Sequence, residues 1–182
     1  MDDETRELAS RVVSHAVDAR VTLACVESCT GGLVGAALTS VPGSSGAFAG
    51  GLVTYSNSAK VSMARVDAHA IERHGAVSAR VAAMMARGGL DAIGADRCVS
   101  VTGVAGPDGG SEEKPVGTVW IALAAGGHGG SALCVRLGVD EPCTRERVRE
   151  RSVIAALTLL DPTYDHASLP HERERRIIGA DP

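Results

Sequence analysis

The sequence predicts an α/β fold, a three-layer α/β/α sandwich around a mixed, mostly parallel sheet. Short apolar, β-branched runs alternate with longer segments of helical period, the order of a sheet covered on both faces. The composition agrees. The chain is 45 % hydrophobic but 2 % aromatic and carries 22 glycines, so its core must be built from Ala, Val and Leu on closely packed elements.

Leu8, Val12, Val13, Ala16 and Val17 fall on one face of a first helix. Residues 21–26 read as a buried strand, followed by the turn Glu27-Ser28-Cys29-Thr30-Gly31-Gly32 and a helix to Thr39. Pro42-Gly43-Ser44-Ser45 is a loop, and residues 50–55 a second strand. Ser56 or Asn57 caps a helix reaching about Arg65, and residues 68–74 add a helical turn or two before Gly75. Ser78 caps the next helix, with Val81, Met84, Met85 and Leu90 apolar and Gly88-Gly89 weakening its continuity. Residues 97–102 form a strand that runs into a glycine loop from Gly103 to Gly117. Strands over 118–124 and 131–137 make a hairpin across residues 126–130. Thr144 caps a closing helix whose start is rich in arginine. Residues 1–162 then form one domain, and residues 163–182, charged and without an apolar face, read as a mobile tail.

Several functions are disfavoured by composition. A net charge of −4 argues against a nucleic-acid surface, and sparse aromatics against base stacking. No apolar run approaches the roughly 18–20 residues of a membrane span. The acidic start Met1-Asp2-Asp3-Glu4 is unlike a signal peptide. Five cysteines (25, 29, 98, 134 and 143), three of them in apolar runs, suit reduced buried thiols in the cytoplasm. Cys25 and Cys29 lack a second ligand pair at zinc spacing, so no metal is expected.

Ser28, Tyr55 to Lys60 and Thr102 to Gly110 all follow strand carboxyl ends, where open α/β sheets bind ligands. Ser28 is either a helix cap or a nucleophile. With no histidine near a strand end, a desolvated lysine or a tyrosine relay would have to serve as its base. The chain has 16 arginines and two lysines, Lys60 and Lys114. Lysine can lose its proton where arginine cannot, although two leftover surface lysines would give the same count. Tyr55 and Lys60 are five apart, not the four of a short-chain dehydrogenase, and no dinucleotide glycine fingerprint follows the first strand. Gly31 stands where a Ser-x-x-Lys lactamase has lysine. The Gly103–Gly110 loop lacks the ending of a P-loop but can present N–H groups to an anion, which Arg145 could share. Arg147, Arg149 and Arg151 read as a solvated face.

The segments Glu27–Gly32, Pro42–Ser45, Val53–Lys60, His74–Ser78, Thr102–Gly110 and Ser111–Val119 together resemble the CinA C-terminal domain family over about residues 5–160. The resemblance implies an α/β/α fold, a metal-free and cofactor-free cytosolic homo-oligomer, and hydrolysis of nicotinamide mononucleotide (NMN) to nicotinate mononucleotide and ammonia. It makes Ser28 the nucleophile with Tyr55 and Lys60 as partners. It also brings Thr102 and an arginine, best matched by Arg145, to the site, although Cys143-Thr144 replaces the family's usual Gly-Asp. On that footing Thr30, Gly31 and Gly32 would hold the oxyanion. Thr102, Gly103, Gly106 and Arg145 would position the ribose phosphate, and Glu27 is either a neighbour for the pyridinium or a structural acid that partners a helix dipole. A non-catalytic nucleotide-binding or interaction module of the same family, linked to competence or DNA damage, is the alternative.

Overall fold

The structure, a computed structural model, describes residues 1–126, 132–138, 144–164 and 172–178. The predicted connection at 127–131 of the hairpin and Cys143 lie outside these residues, as does most of the segment beyond Tyr164.

Helix α1 (Asp3–Ala19) starts where the Asp2 carboxylate accepts the Thr5 N–H at 2.7 Å and ends at Arg20 in the left-handed region. Its buried stripe is Leu8, Ala9, Val12, Val13 and Ala16; Val17, read onto that face, is 43 % exposed. Strand β1 (Leu23–Glu27) is buried at every position, as a central strand covered on both faces must be. Helix α2 (Leu33–Thr39) and a 3₁₀ turn lead to β2 (Phe48–Val53), an edge strand of alternating exposure. Ser56 caps α3 (Asn57–Ala64), Asp67 caps α4 (Ala68–His74) and Ser78 caps α5 (Ala79–Ile93), each through its side-chain oxygen. Strands β3 (Arg97–Gly103), β4 (Thr118–Ala125) and β5 (Ala132–Gly138) follow, and Thr144 caps α6 (Arg145–Leu160).

The sheet order is β2-β1-β3-β4-β5-β6, with β6 at Glu172–Ile178. β1 pairs in parallel with β2 and β3, and the remaining three ladders are antiparallel. β5 therefore runs with the first three strands, so four of six strands share one direction. Helices α1, α2 and α6 cover one face and α3, α4 and α5 the other. The three-layer sandwich is as the sequence predicts.

Two expectations are corrected. Residues 172–178, read as part of a mobile tail, extend the sheet along β5. An edge strand with the sequence Glu-Arg-Glu-Arg-Arg-Ile-Ile shows no apolar period, because charge on an edge keeps it from pairing further. The Gly88-Gly89 pair does not interrupt α5. A Cβ at Gly88 would run into the Ala64 carbonyl of α3, and one at Gly89 into Val26 of β1. These glycines let α5 lie directly against α3 and the sheet.

Candidate active site

From β1 the chain passes through α2 to β2 on one flank, and returns as β3 on the other. The crevice outside β1 is thus the point where strand order reverses, the usual ligand position in open α/β sheets. Glu27 is in register with both Val53 and Val101, so the three strands end together. Beyond them the Thr54 N–H donates to Glu27 O at 2.7 Å and the Ser28 N–H to Val101 O at 2.9 Å. The Ser28 turn is therefore tied to both neighbours.

Ser28 is 7 % exposed and its Oγ lies 2.8 Å from Lys60 Nζ. Lys60, on α3, is 2 % exposed. Its amine also donates to the carbonyls of Thr54 at 2.9 Å and Tyr55 at 3.5 Å. No carboxylate pairs with it among the described residues. Burial pushes the Lys60 ammonium below its ordinary value of 10.5, with the Cys29 thiol a smaller opposing influence. A neutral Lys60 that donates its two N–H bonds to the two carbonyls has one lone pair left, and among the described residues Ser28 Oγ–H is the group placed to donate to it.

Neighbouring Cys29 does not compete as a nucleophile. Burial pushes its thiol up to about 11, against the opposing pull of its own backbone N–H and, less strongly, of Lys60 and Arg149, with Glu27 adding to the rise.

The other predicted residues have more specific places. Glu27, offered as a partner for a cationic ring, is buried under the start of α2. It accepts the N–H groups of Gly32 at 2.9 Å, Val34 at 3.1 Å and Gly35 at 2.9 Å. Gly32, at the N-cap position, has no side chain, so the carboxylate from β1 does the capping. This also removes the Gly32 N–H from the expected oxyanion site. Gly31 is committed too: its N–H donates to Ser28 O at 3.0 Å. Among the described residues the N–H groups of Cys29 and Thr30 make no hydrogen bond to another residue; the Cys29 N–H faces its own Sγ.

Tyr55 is 59 % exposed and its hydroxyl accepts from Arg145 Nη2 at 2.8 Å, so it does not bridge Ser28 and Lys60. Arg145 Nη1 donates to Gly106 O at 2.9 Å, so this arginine joins the ends of β2 and α6 to the glycine loop. Thr102 is buried with its hydroxyl donating to Ala76 O at 2.9 Å, which ties β3 to the start of α5 instead of facing a ligand. Gly103 is required by packing, since a Cβ there would approach Val119 Cγ2 to 2.7 Å. Gly106 sits at φ +81°, where a side chain would be strained and would meet Val116. Lys114 anchors the far side of the loop by donating to His74 O at 2.8 Å. Arg149, read as solvated, instead donates from Nη2 to Thr30 O at 2.9 Å. Its position four residues after Arg145, on the same helix face, was the signal available in the sequence.

The fold and this site define a three-layer α/β/α protein with a buried serine–lysine pair at the switch point of its sheet. The chain belongs to the family described as the CinA C-terminal domain, whose model matches residues 5–164. A CinA-like protein of Chlorobaculum tepidum is 59 % identical over 114 residues, covering 63 % of this chain and 27 % of the relative. One from Citrifermentans bemidjiense is 46 % identical over 158 residues, 87 % of this chain and 37 % of its own length. The chain thus spans well under half the length of these curated relatives. Among solved structures, the competence/damage inducible protein CihA from Agrobacterium tumefaciens superposes with a TM-score of 0.83 at 39 % identity, covering 88 % of this chain and 95 % of that one. A CinA superfamily protein from Klebsiella pneumoniae gives 0.80 at 33 %, covering 86 % and 95 %. No helix among the described residues is long and apolar enough to cross a membrane.

Proposed function

We propose that this protein hydrolyses the carboxamide of NMN, giving nicotinate mononucleotide and ammonia. The observation that carries the reading is the buried Ser28–Lys60 contact of 2.8 Å, in which the lysine has carbonyls but, among the described residues, no carboxylate for company. A serine hydroxyl is a weak nucleophile unless a base stands beside it, and a desolvated lysine is one of the few side chains that can be that base.

Ser28 Oγ attacks the carboxamide carbon while Lys60 Nζ takes its proton. The oxyanion accepts from the backbone N–H of Cys29, the residue after the nucleophile, with that of Thr30 beside it. Collapse of the tetrahedral intermediate breaks the C–N bond, and the Lys60 ammonium returns its proton to the departing nitrogen, which leaves as ammonia. Water then attacks the acyl-serine, with Lys60 accepting its proton and passing one back to Ser28 Oγ. Arg145, oriented by Tyr55 and Gly106, is the cation for the 5′-phosphate. The reaction so drawn uses only protein groups and water, in a protein of the cytoplasm that assembles with copies of itself.

Ammonia release from NMN by the purified protein tests the reading. Release that disappears in Ser28→Ala supports it; a folded protein that releases none overturns it. NMN bound without turnover would favour a nucleotide-binding module instead.

A further inference from the structure

We infer that Arg149 is a positioning residue that sets the direction of the oxyanion-binding N–H of Cys29. The inference rests on Ser28 being the nucleophile.

Two peptide units link Arg149 to the Cys29 N–H. A trans peptide is planar, with its C=O and N–H pointing in opposite directions. Arg149 Nη2 holds the Thr30 carbonyl at 2.9 Å. The same peptide unit carries the Gly31 N–H, whose direction is thereby fixed, and this N–H donates to Ser28 O at 3.0 Å. The Ser28 carbonyl shares its plane with the Cys29 N–H, so fixing the first fixes the second on the opposite side. Gly31 at φ +63° allows the tight turn this relay requires. One guanidinium on α6 thus determines, through two hydrogen bonds, where the donor beside the nucleophile points.

A second observation falls on the same two residues. Thr30 Oγ1 and Arg149 Nε are both buried and both without a hydrogen-bond partner among the described residues. Unpaired buried polar atoms are rare in folded proteins and concentrate where a site is incomplete or under tension. Here they flank the contact that holds the turn, and no carboxylate ties the guanidinium elsewhere among the described residues. Arg145 and Arg149 therefore divide the work one helical turn apart. The exposed arginine spans the loops around the substrate, and the half-buried one shapes the backbone under the reacting carbon.

Arg149→Met and Arg149→Lys test this, with Ser28→Ala as the control. In Arg149→Met we expect kcat for ammonia release to fall on the order of 10²-fold with KM little changed, the pattern of a lost oxyanion donor. Arg149→Lys, which can still reach a carbonyl, should recover part of the loss, as should guanidinium added to Arg149→Ala. Amide hydrogen exchange at Gly31, whose N–H the relay holds, supplies a readout free of substrate: it should be faster in Arg149→Met. An active wild type with Arg149→Met at full kcat, or with unchanged exchange at Gly31, overturns the inference. A fall shared equally by kcat and binding of NMN overturns it as well, since it would indicate general loss of structure. Wild-type protein that releases no ammonia and whose Ser28 resists fluorophosphonate labelling would overturn the proposed function, and the exchange measurement would still decide whether Arg149 holds the turn.

Discussion

A lysine amine surrounded by two carbonyls and a hydroxyl loses more from dehydration than those dipoles return to its charged form. The consequence reaches both activity and stability. Because the folded state holds Lys60 below its ordinary 10.5, the unfolded chain binds more protons over the interval between the two values, and stability rises with pH across it. Wild-type protein should therefore gain stability relative to Lys60→Met as pH rises towards 10.5, as measured by denaturant titration at each pH. The rate should likewise increase with pH along a limb whose midpoint lies below 10.5. Lys60→Arg keeps the charge but cannot release a proton, so it should lose about 10²–10⁴-fold in kcat while remaining folded. Glu27→Ala strands three backbone N–H groups under α2, at roughly 1–3 kcal/mol for each, and should lower the unfolding free energy by about 3 kcal/mol or more. Ser28 and Lys60 were legible in the sequence because residue type and strand-end position narrow the choice of base. The structural role open to Glu27 was legible, and its carboxylate caps α2; the hydrogen-bond partners of Gly31, Gly32 and Thr102 were not, because the fate of one N–H or one hydroxyl depends on which neighbour turns towards it, and sequence spacing does not carry that.

The helices bring the site together more through backbone contact than through side chains. α3 holds Lys60 at the sheet because α5 presses on it where Gly88 leaves the Ala64 carbonyl room. Gly88→Ala should push α3 outward, destabilise the protein by about 1–3 kcal/mol and lower activity further than that loss alone explains. Comparing thermal midpoint with kcat in the same preparation checks both parts. Three helix starts were readable, since Ser56, Ser78 and Thr144 each cap the helix they precede. A glycine pair in a helix reads as weakness on propensity alone, and only the partner helix shows that it is a place of closest approach. β6 is hidden in the sequence for a related reason: its pairing is made by backbone groups, whereas its sequence displays charge.

Across the whole molecule, the crevice outside β1 is separated from β6 by β3, β4 and β5. The family match also ends at residue 164, before β6 begins. A chain truncated after Tyr164 should therefore keep ammonia release per folded molecule, yet melt lower and associate at higher concentration through the uncovered edge of β5. Calorimetry and light scattering on the truncated protein would show both effects; an unchanged melting point would mean the edge strand adds nothing to the sheet. The burial of Lys60 has a practical side too. The chain has only two lysines, and Lys114 lies near the surface in the glycine loop. An acylating reagent should modify Lys114 and the N-terminal amine while the protein is intact, and Lys60 only when α3 swings away from the sheet. Mass spectrometry of the Lys60 peptide over time would then serve as a clock for how often the molecule opens at its own reaction centre.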